Sequence, residues 1–200
     1  MQLIKMNLLL KLKHWQLFLL LVGTPIVFES VSIATIFNSR NPTIIALIFP
    51  VTMILTMTVY FGWFYAIGTT LHKKLPETVK MNLTRFKIFL LIPALYILVI
   101  CYFLYVAFGY QTNGEPINIE LAGLIVPIHL FSMFCIFYCL YFNAKSLKAV
   151  EWQKPVTFGD FAGEFFLIWF FPIGVWIIQP RLNKLMQSEK LIERSTNWDK

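Results

Sequence analysis

Residues 161–178 read FAGEFFLIWFFPIGVWII, and the number of membrane crossings turns on them. This mostly apolar block of 18 residues approaches the about 20 that a spanning helix needs. The block is nevertheless poorly made for a crossing. Glu164 and Gly163 stand near its start, and Pro172-Ile173-Gly174 interrupts its middle. Proline removes a helical hydrogen bond and clashes with the preceding turn, so a bend is expected at Pro172. If the block crossed, the Lys and Arg residues would divide eleven to six across the membrane. If it does not, they divide sixteen to one. Cytoplasmic loops carry the excess of Lys and Arg, which favours the second division. We read 161–178 as a re-entrant or interfacial helical element, whose non-helical backbone has to be buried in protein or line a wet cavity.

Working outward, four longer apolar segments precede it, at residues 15–37, 44–71, 86–108 and 119–142. Helices are expected, because open strands leave backbone groups unpaired in hydrocarbon. Asn38, Asn41 and Pro42 punctuate the first connection, and Gly109, Asn113, Gly114 and Pro116 the third. The lead to His14 carries three basic residues, the second connection five, residues 143–160 three and the tail from Gln179 five. Only Arg40 lies on the other side. The fold class is therefore an all-α integral membrane protein with four transmembrane helices and the C-terminal element. Its expected organisation is a four-helix transmembrane domain at 1–142 and a cytoplasmic segment at 143–200. The expected location is the bacterial cytoplasmic (inner) membrane, with both termini cytoplasmic. Pro25, Pro50, Pro93 and Pro127 put one helix-loosening residue in each crossing.

Composition agrees. Of 200 residues, 58% are hydrophobic and 14% charged, with 20 Phe, 8 Tyr and 6 Trp, whereas a soluble domain carries about a quarter charged. The net charge of +7 is accounted for by basic residues gathered at an anionic leaflet. Cys101, Cys135 and Cys139 all lie in apolar blocks and read as small apolar filler. The first twelve residues lack a small-residue cleavage site and read as a cytoplasmic lead lying along the bilayer surface.

Glu29 is the sharpest functional signal, since a carboxylate inside a crossing costs several kcal/mol unless neutralised or paired. His129 and Thr52 fall at a similar depth on the fourth and second helices, so an intramembrane polar cluster of Glu29, Thr52 and His129 is expected, extendable by Ser32, Thr35 and Thr56. It serves helix packing or, alternatively, a proton or cation path. Asp160 and Glu164, four apart, share one helical face at the cytoplasmic boundary. Pairing with Lys154, Arg181 or Lys184 is expected. A membrane-embedded enzyme using Asp160, Glu164 and His72 is the third reading. Catalytic motifs such as His-Glu-x-x-His and Gly-x-Ser-x-Gly are missing from the sequence, which points away from an enzyme. No cofactor or metal is implied. His14 and His72 stand beside lysines and are expected at the surface.

Lys73, Lys74, Lys80, Arg85, Lys87, Arg181 and Lys184 form a basic cytoplasmic face for lipid or for a cytoplasmic protein or ribonucleoprotein partner. Gly159 and Gly163 are too thin a small-residue signal to indicate an oligomer.

Two stretches carry a resemblance. Residues 13–18 (KHWQLF) and 163–184 (GEFFLIWFFPIGVWIIQPRLNK) resemble small bacterial multi-span membrane proteins of mostly unknown function. In size and span count the chain also looks like the membrane accessory proteins of type VI-B CRISPR loci. That resemblance implies a non-enzymatic accessory or regulatory protein modulating an RNA-targeting antiviral effector. The alternative from the residues is a small channel or proton/cation-conducting protein using Glu29 and His129.

Overall fold

The computed structural model describes residues 8–39, 43–112 and 119–198. Among the described residues a short helical stretch at 8–11 is followed by seven further α-helices, and there is no strand. They are α1 (His14–Phe18), α2 (Thr24–Ser39), α3 (Thr43–His72), α4 (Leu83–Thr112), α5 (Ile119–Trp152), α6 (Phe158–Trp169) and α7 (Phe171–Trp198). A π-helical turn, Leu19–Gly23, joins α1 to α2. It ends just before Pro25, whose ring would clash with the carbonyl four residues earlier in a regular helix.

Among the described residues four stretches are long and apolar enough to span a membrane: His14–Thr35, Ile48–His72, Leu83–Ala107 and Gly123–Trp152. The chain is an all-α membrane protein of four such helices followed by a bent helical pair. Ile26, Val27, Leu91, Leu95, Val126 and Leu130 are exposed along the spans, as lipid-facing residues are. The third span starts three residues earlier than expected, taking Arg85 and Lys87 into its first turns. The fourth helix differs more. Residues 143–152, expected as part of a connection, continue α5, because Asn143, Ala144, Ser146, Leu147 and Val150 form a buried face at helical spacing. The helix stops before Gln153, which takes a positive φ of 50° and precedes Lys154-Pro155.

The block at 161–178 is bent, though not at the proline. Helices α6 and α7 turn by 120° at Phe170. The Phe170 N–H still donates to the Phe166 carbonyl at 2.8 Å, and the Phe170 carbonyl accepts from Ile173 and Gly174 at 3.0 and 2.8 Å. Pro172 sits in the first turn of α7, where its missing N–H leaves no bond unmade. Gly174 is required by close approach: a Cβ there would overlap the Leu167 carbonyl of α6. The 12 residues of α6 extend about 18 Å, about three-fifths of a hydrocarbon core of about 30 Å. That length suits a re-entrant leg.

The chain divides into two compact units. One draws its described residues from Met1–Leu19, Gly62–Leu83 and Leu140–Lys200, the other from Leu20–Phe61 and Thr84–Cys139. In the first unit α6 packs on α7, and α7 on α1. Its core includes Leu10, Leu17, Trp63, Phe64, Phe142, Phe161 and Ile178. Of the lead, residues 8–11 are helical, with Leu10 buried in this unit and Leu8 exposed. In the second unit Phe89 of α4 packs edge-on against Phe134 and Tyr138 of α5. Cys101, Cys135 and Cys139 are buried and unpaired by disulfide.

Candidate functional site

The first unit is assembled around two polar clusters. At the first, Gln179 of α7 is fully buried. Its Oε1 accepts from the Trp63 indole N–H at 2.9 Å, and its Nε2 donates to the carbonyls of Leu9 and Leu12 at 3.0 and 2.9 Å. Asn183, one turn on, donates to the same Leu12 carbonyl at 3.1 Å. The lead thus ends in carbonyls without helical partners, and α7 supplies the donors. His14 reinforces the junction by packing on Trp176 at 4.7 Å between ring centroids.

At the second cluster, Glu164 of α6 is nearly buried, its side chain 7% exposed. Lys148 of α5 donates to its Oε1 at 3.0 Å, and Arg181 Nη2 of α7 donates to the same oxygen at 2.7 Å. Arg181 Nε also donates to Glu151 Oε1 at 2.7 Å, and its Nη2 contacts Glu151 Oε2. Four charges from three helices cancel in one place. Burial alone pushes the Glu164 carboxyl up, but the hydrogen bonds from Arg181 and Lys148 outweigh it and hold the group below its ordinary value. The expected partners were Lys154, Arg181 and Lys184. Arg181 is found, and Lys148 takes the remaining place because α5 runs on past residue 142 and carries it there.

Asp160 serves a different end. Its Oδ2 accepts from the Thr157 N–H at 2.7 Å and from the Thr157 hydroxyl at 2.8 Å, closing the first turn of α6. The backbone hydrogen bond is the main reason its pKa is lowered, with the hydroxyl next. Among the described residues no three His, Cys, Asp or Glu side chains converge to hold a metal ion.

The expected basic face falls partly in this unit. Lys73, Lys80 and Lys184 are exposed, while Lys74 reaches the Leu185 carbonyl at 3.4 Å and Arg181 is engaged by its two carboxylates. Arg85 and Lys87 are exposed on α4 in the other unit. Lys148 and Lys154 both lie over the Trp152 ring, 4.6 and 4.7 Å from its centroid. His72 is not a free surface group. Its Nε2 meets the Met81 carbonyl at 2.9 Å, and its ring stacks on Phe142.

In the second unit the expected polar residues take separate partners. The Thr52 hydroxyl donates to Ile48 O at 2.9 Å and that of Ser32 to Phe28 O at 2.7 Å, each within its own helix. His129 Nδ1 meets the Tyr96 hydroxyl at 3.0 Å, a pairing of α4 with α5. Glu29 is half-buried, and no hydrogen bond or ion pair to it is found among the described residues. No hydrogen bond joins Glu29, Thr52 and His129 to one another among those residues.

Trp63, Gln179, Asn183, Lys148 and Glu151 were not singled out by sequence reasoning. Two signals existed. Gln179 and Asn183 are four apart at the end of an apolar run, and Lys148 and Glu151 are three apart, so each pair shares a helical face. Compared with known proteins, the chain matches no protein-family model, no curated protein and no solved structure.

Proposed function

We propose that the protein is a non-enzymatic, multi-pass accessory protein of the bacterial inner membrane that offers a basic surface to a cytoplasmic partner. In this reading both termini and the 73–82 connection are cytoplasmic, as the distribution of Lys and Arg favours. The observation that carries it is the way charge is spent in the first unit. Glu151 and Glu164 are consumed internally by Arg181 and Lys148, and Asp160 closes its own helix, while Lys73, Lys80 and Lys184 stay exposed and outnumber the exposed Glu77. The buried ion cluster and the Gln179 junction fix the scaffold, and positive charge is left at its surface. Such a surface attracts anionic partners and steers their approach. The resemblance to type VI-B accessory proteins adds an RNA-guided ribonuclease as the partner to try first.

The test is a pull-down of that effector, loaded with guide RNA, by the full chain in nanodiscs. The double variant Lys73→Glu/Lys184→Glu should weaken capture at least about tenfold, the loss expected for charged contacts at an interface. Equal capture by wild type and variant, with insertion unchanged, would remove the basic face from the mechanism.

A second reading, conduction of protons or cations, is favoured by one feature: Glu29, half-buried in a span with no bonding partner among the described residues.

A further inference from the structure

The second unit carries an acid and a base that do not pair within one chain. Glu29 of α2 is half-buried with no bonding partner among the described residues, and Ile26 and Ile33, one turn to either side, are exposed. His129 of α5 is exposed although it lies within a span. Ionisable residues in spans almost always face a protein interior or a wet cavity and pair with one another. The Tyr96 hydroxyl meets His129 Nδ1 at 3.0 Å. With that hydroxyl donating, the ring hydrogen sits on Nε2, which has no hydrogen bond among the described residues. Glu29 and His129 also lie at one depth. Glu29 stands ten residues before the end of α2 at Ser39, and His129 ten residues after the start of α5 at Ile119, each about 15 Å along its helix. Successive spans alternate in direction, so these two helix ends share a membrane side whichever way the chain inserts. Beside His129 runs an apolar groove of about 210 Å³, lined by Val99, Phe103 and Val106 of α4 and Leu124, Ile125 and Ile128 of α5. It is smaller than the about 300–1,000 Å³ of small-molecule sites and suits protruding side chains. Ile125 lies one turn from His129 toward that membrane side, and Ile33 one turn from Glu29 toward the same side. Phe37, a further turn on, is 80% exposed.

We propose that α2 of one copy of this chain packs on the α4–α5 face of a second copy, with Glu29 paired to His129 across the contact and Ile33 and Phe37 seated in the groove. Charge and depth together select a second copy as the occupant. The same chain supplies acid and base at one level, and copies inserted in the same direction keep that level. His129 Nε2 then donates to the Glu29 carboxylate, a charge-assisted hydrogen bond. The contact joins two different patches, so it is made twice in a two-fold pair or once per neighbour in a ring. This inference rests neither on the basic face nor on conduction.

The experiment is energy transfer between donor- and acceptor-labelled copies of the full chain in phosphatidylcholine vesicles, titrated in protein-to-lipid ratio. Saturable transfer above the level of random proximity is expected, and excess unlabelled chain should abolish it. Glu29→Leu and His129→Leu each put an apolar side chain where lipid can meet it, so the fold is not at risk. Each should weaken association about tenfold, the loss of one strong interhelical hydrogen bond in a membrane. Glu29→Leu donors mixed with His129→Leu acceptors keep one intact pair between unlike copies, so association should recover toward wild type. In a background with Cys101, Cys135 and Cys139 replaced, copies carrying Ile33→Cys should form a disulfide with copies carrying Ile125→Cys. They should not do so with copies carrying Phe134→Cys, an exposed position more than two turns deeper on α5. Wild-type transfer at the random level would mean that lipid or another protein covers this face, and would overturn the proposal. So would association unchanged in both single variants, or no recovery in the mixture, which would return Glu29 and His129 to roles within one copy.

Discussion

Arg181 on α7 donates to Glu164 on α6 at 2.7 Å, across the bend at Phe170. The bond ties the two legs of the helical pair together near their base, and Lys148 brings α5 into the same bond at 3.0 Å. A buried ion pair is weak evidence of net stabilisation, but removing one partner is costly because the other charges stay behind. Glu164→Gln should therefore destabilise the protein by about 1.5–3 kcal/mol, the range for hydrogen bonds to charged groups. Glu151→Gln should cost less, since its side chain is 20% exposed against 7% for Glu164. Equilibrium unfolding in mixed micelles with increasing SDS checks the order. Equal shifts for the two variants would show that Glu164 is not the centre of the cluster.

Gln179 supports a second prediction. It satisfies the Trp63 indole and two carbonyls of the lead at once. Gln179→Leu keeps the volume but leaves the Trp63 indole N–H and the Leu9 carbonyl without these partners, while the Leu12 carbonyl keeps the bond from Asn183. Each unsatisfied group costs about 1–3 kcal/mol, so the variant should lose several kcal/mol in the same unfolding assay. Protease cleavage within the lead should also rise, because α7 no longer holds the Leu9 carbonyl and keeps the Leu12 carbonyl by Asn183 alone. An intact lead and an unchanged midpoint would count against this role.

Gly174→Ala tests the bend. The Leu167 carbonyl occupies the space that a Cβ would need, and it is backbone that cannot rotate away. The legs must separate. With spin labels at Phe166 and Ile177, both exposed, the variant should show a longer and broader distance distribution than wild type. Pro172→Ala, by contrast, should leave the distribution in place, because the turn is made at Phe170. If Pro172→Ala straightened the pair while Gly174→Ala did not, the account of the bend would be reversed.

Acid should reveal the Asp160 cap. Its folded pKa is lowered, first by the Thr157 N–H and then by the Thr157 hydroxyl. A lowered folded pKa means the unfolded chain takes up the proton first, so the contribution is present above the unfolded value of about 3.9. It is lost as pH falls through the folded value. Wild type should be more stable than Asp160→Asn at neutral pH, and the difference should close below about pH 4. A difference that persisted undiminished at lower pH would have to come from something other than the carboxylate's charge.

These features differ in how far the sequence showed them. The four spans were legible because lipid forces all-round apolar helices of a set minimum length, a demand that composition reveals directly. The bend between 161 and 178 was legible from Pro172 and Gly174, but its position was not. Proline is most disruptive inside a helix and harmless in its first turn, and only tertiary packing against Leu167 decides where that turn begins. The extension of α5 to Trp152 was missed because Lys145, Lys148 and Glu151 suggest a connection when charge is weighed before periodicity. The same oversight hid Lys148 as the partner of Glu164. Gln179 and Trp63 were beyond reach: they lie 116 residues apart, and nothing local in either neighbourhood names the other.

Topology remains the premise on which the proposed cytoplasmic face rests, and it yields the last prediction. In a background with Cys101, Cys135 and Cys139 replaced, a single cysteine at Asn113 or at Ser195 can be probed in intact cells with a membrane-impermeant thiol reagent. Four crossings with a non-crossing hairpin place position 113 outside and position 195 inside, so only the first should react. Labelling at both positions would mean that α6 and α7 together form a fifth span. The basic residues of α7 would then be divided from Lys73 and Lys80, and Glu164 would become a carboxylate within the membrane. Under that outcome the conducting alternative gains, and it has its own check: Glu29→Gln should abolish a proton flux measured in proteoliposomes. Labelling at 113 alone leaves Lys73, Lys80 and Lys184 on the cytoplasmic side, where a partner pull-down can reach them.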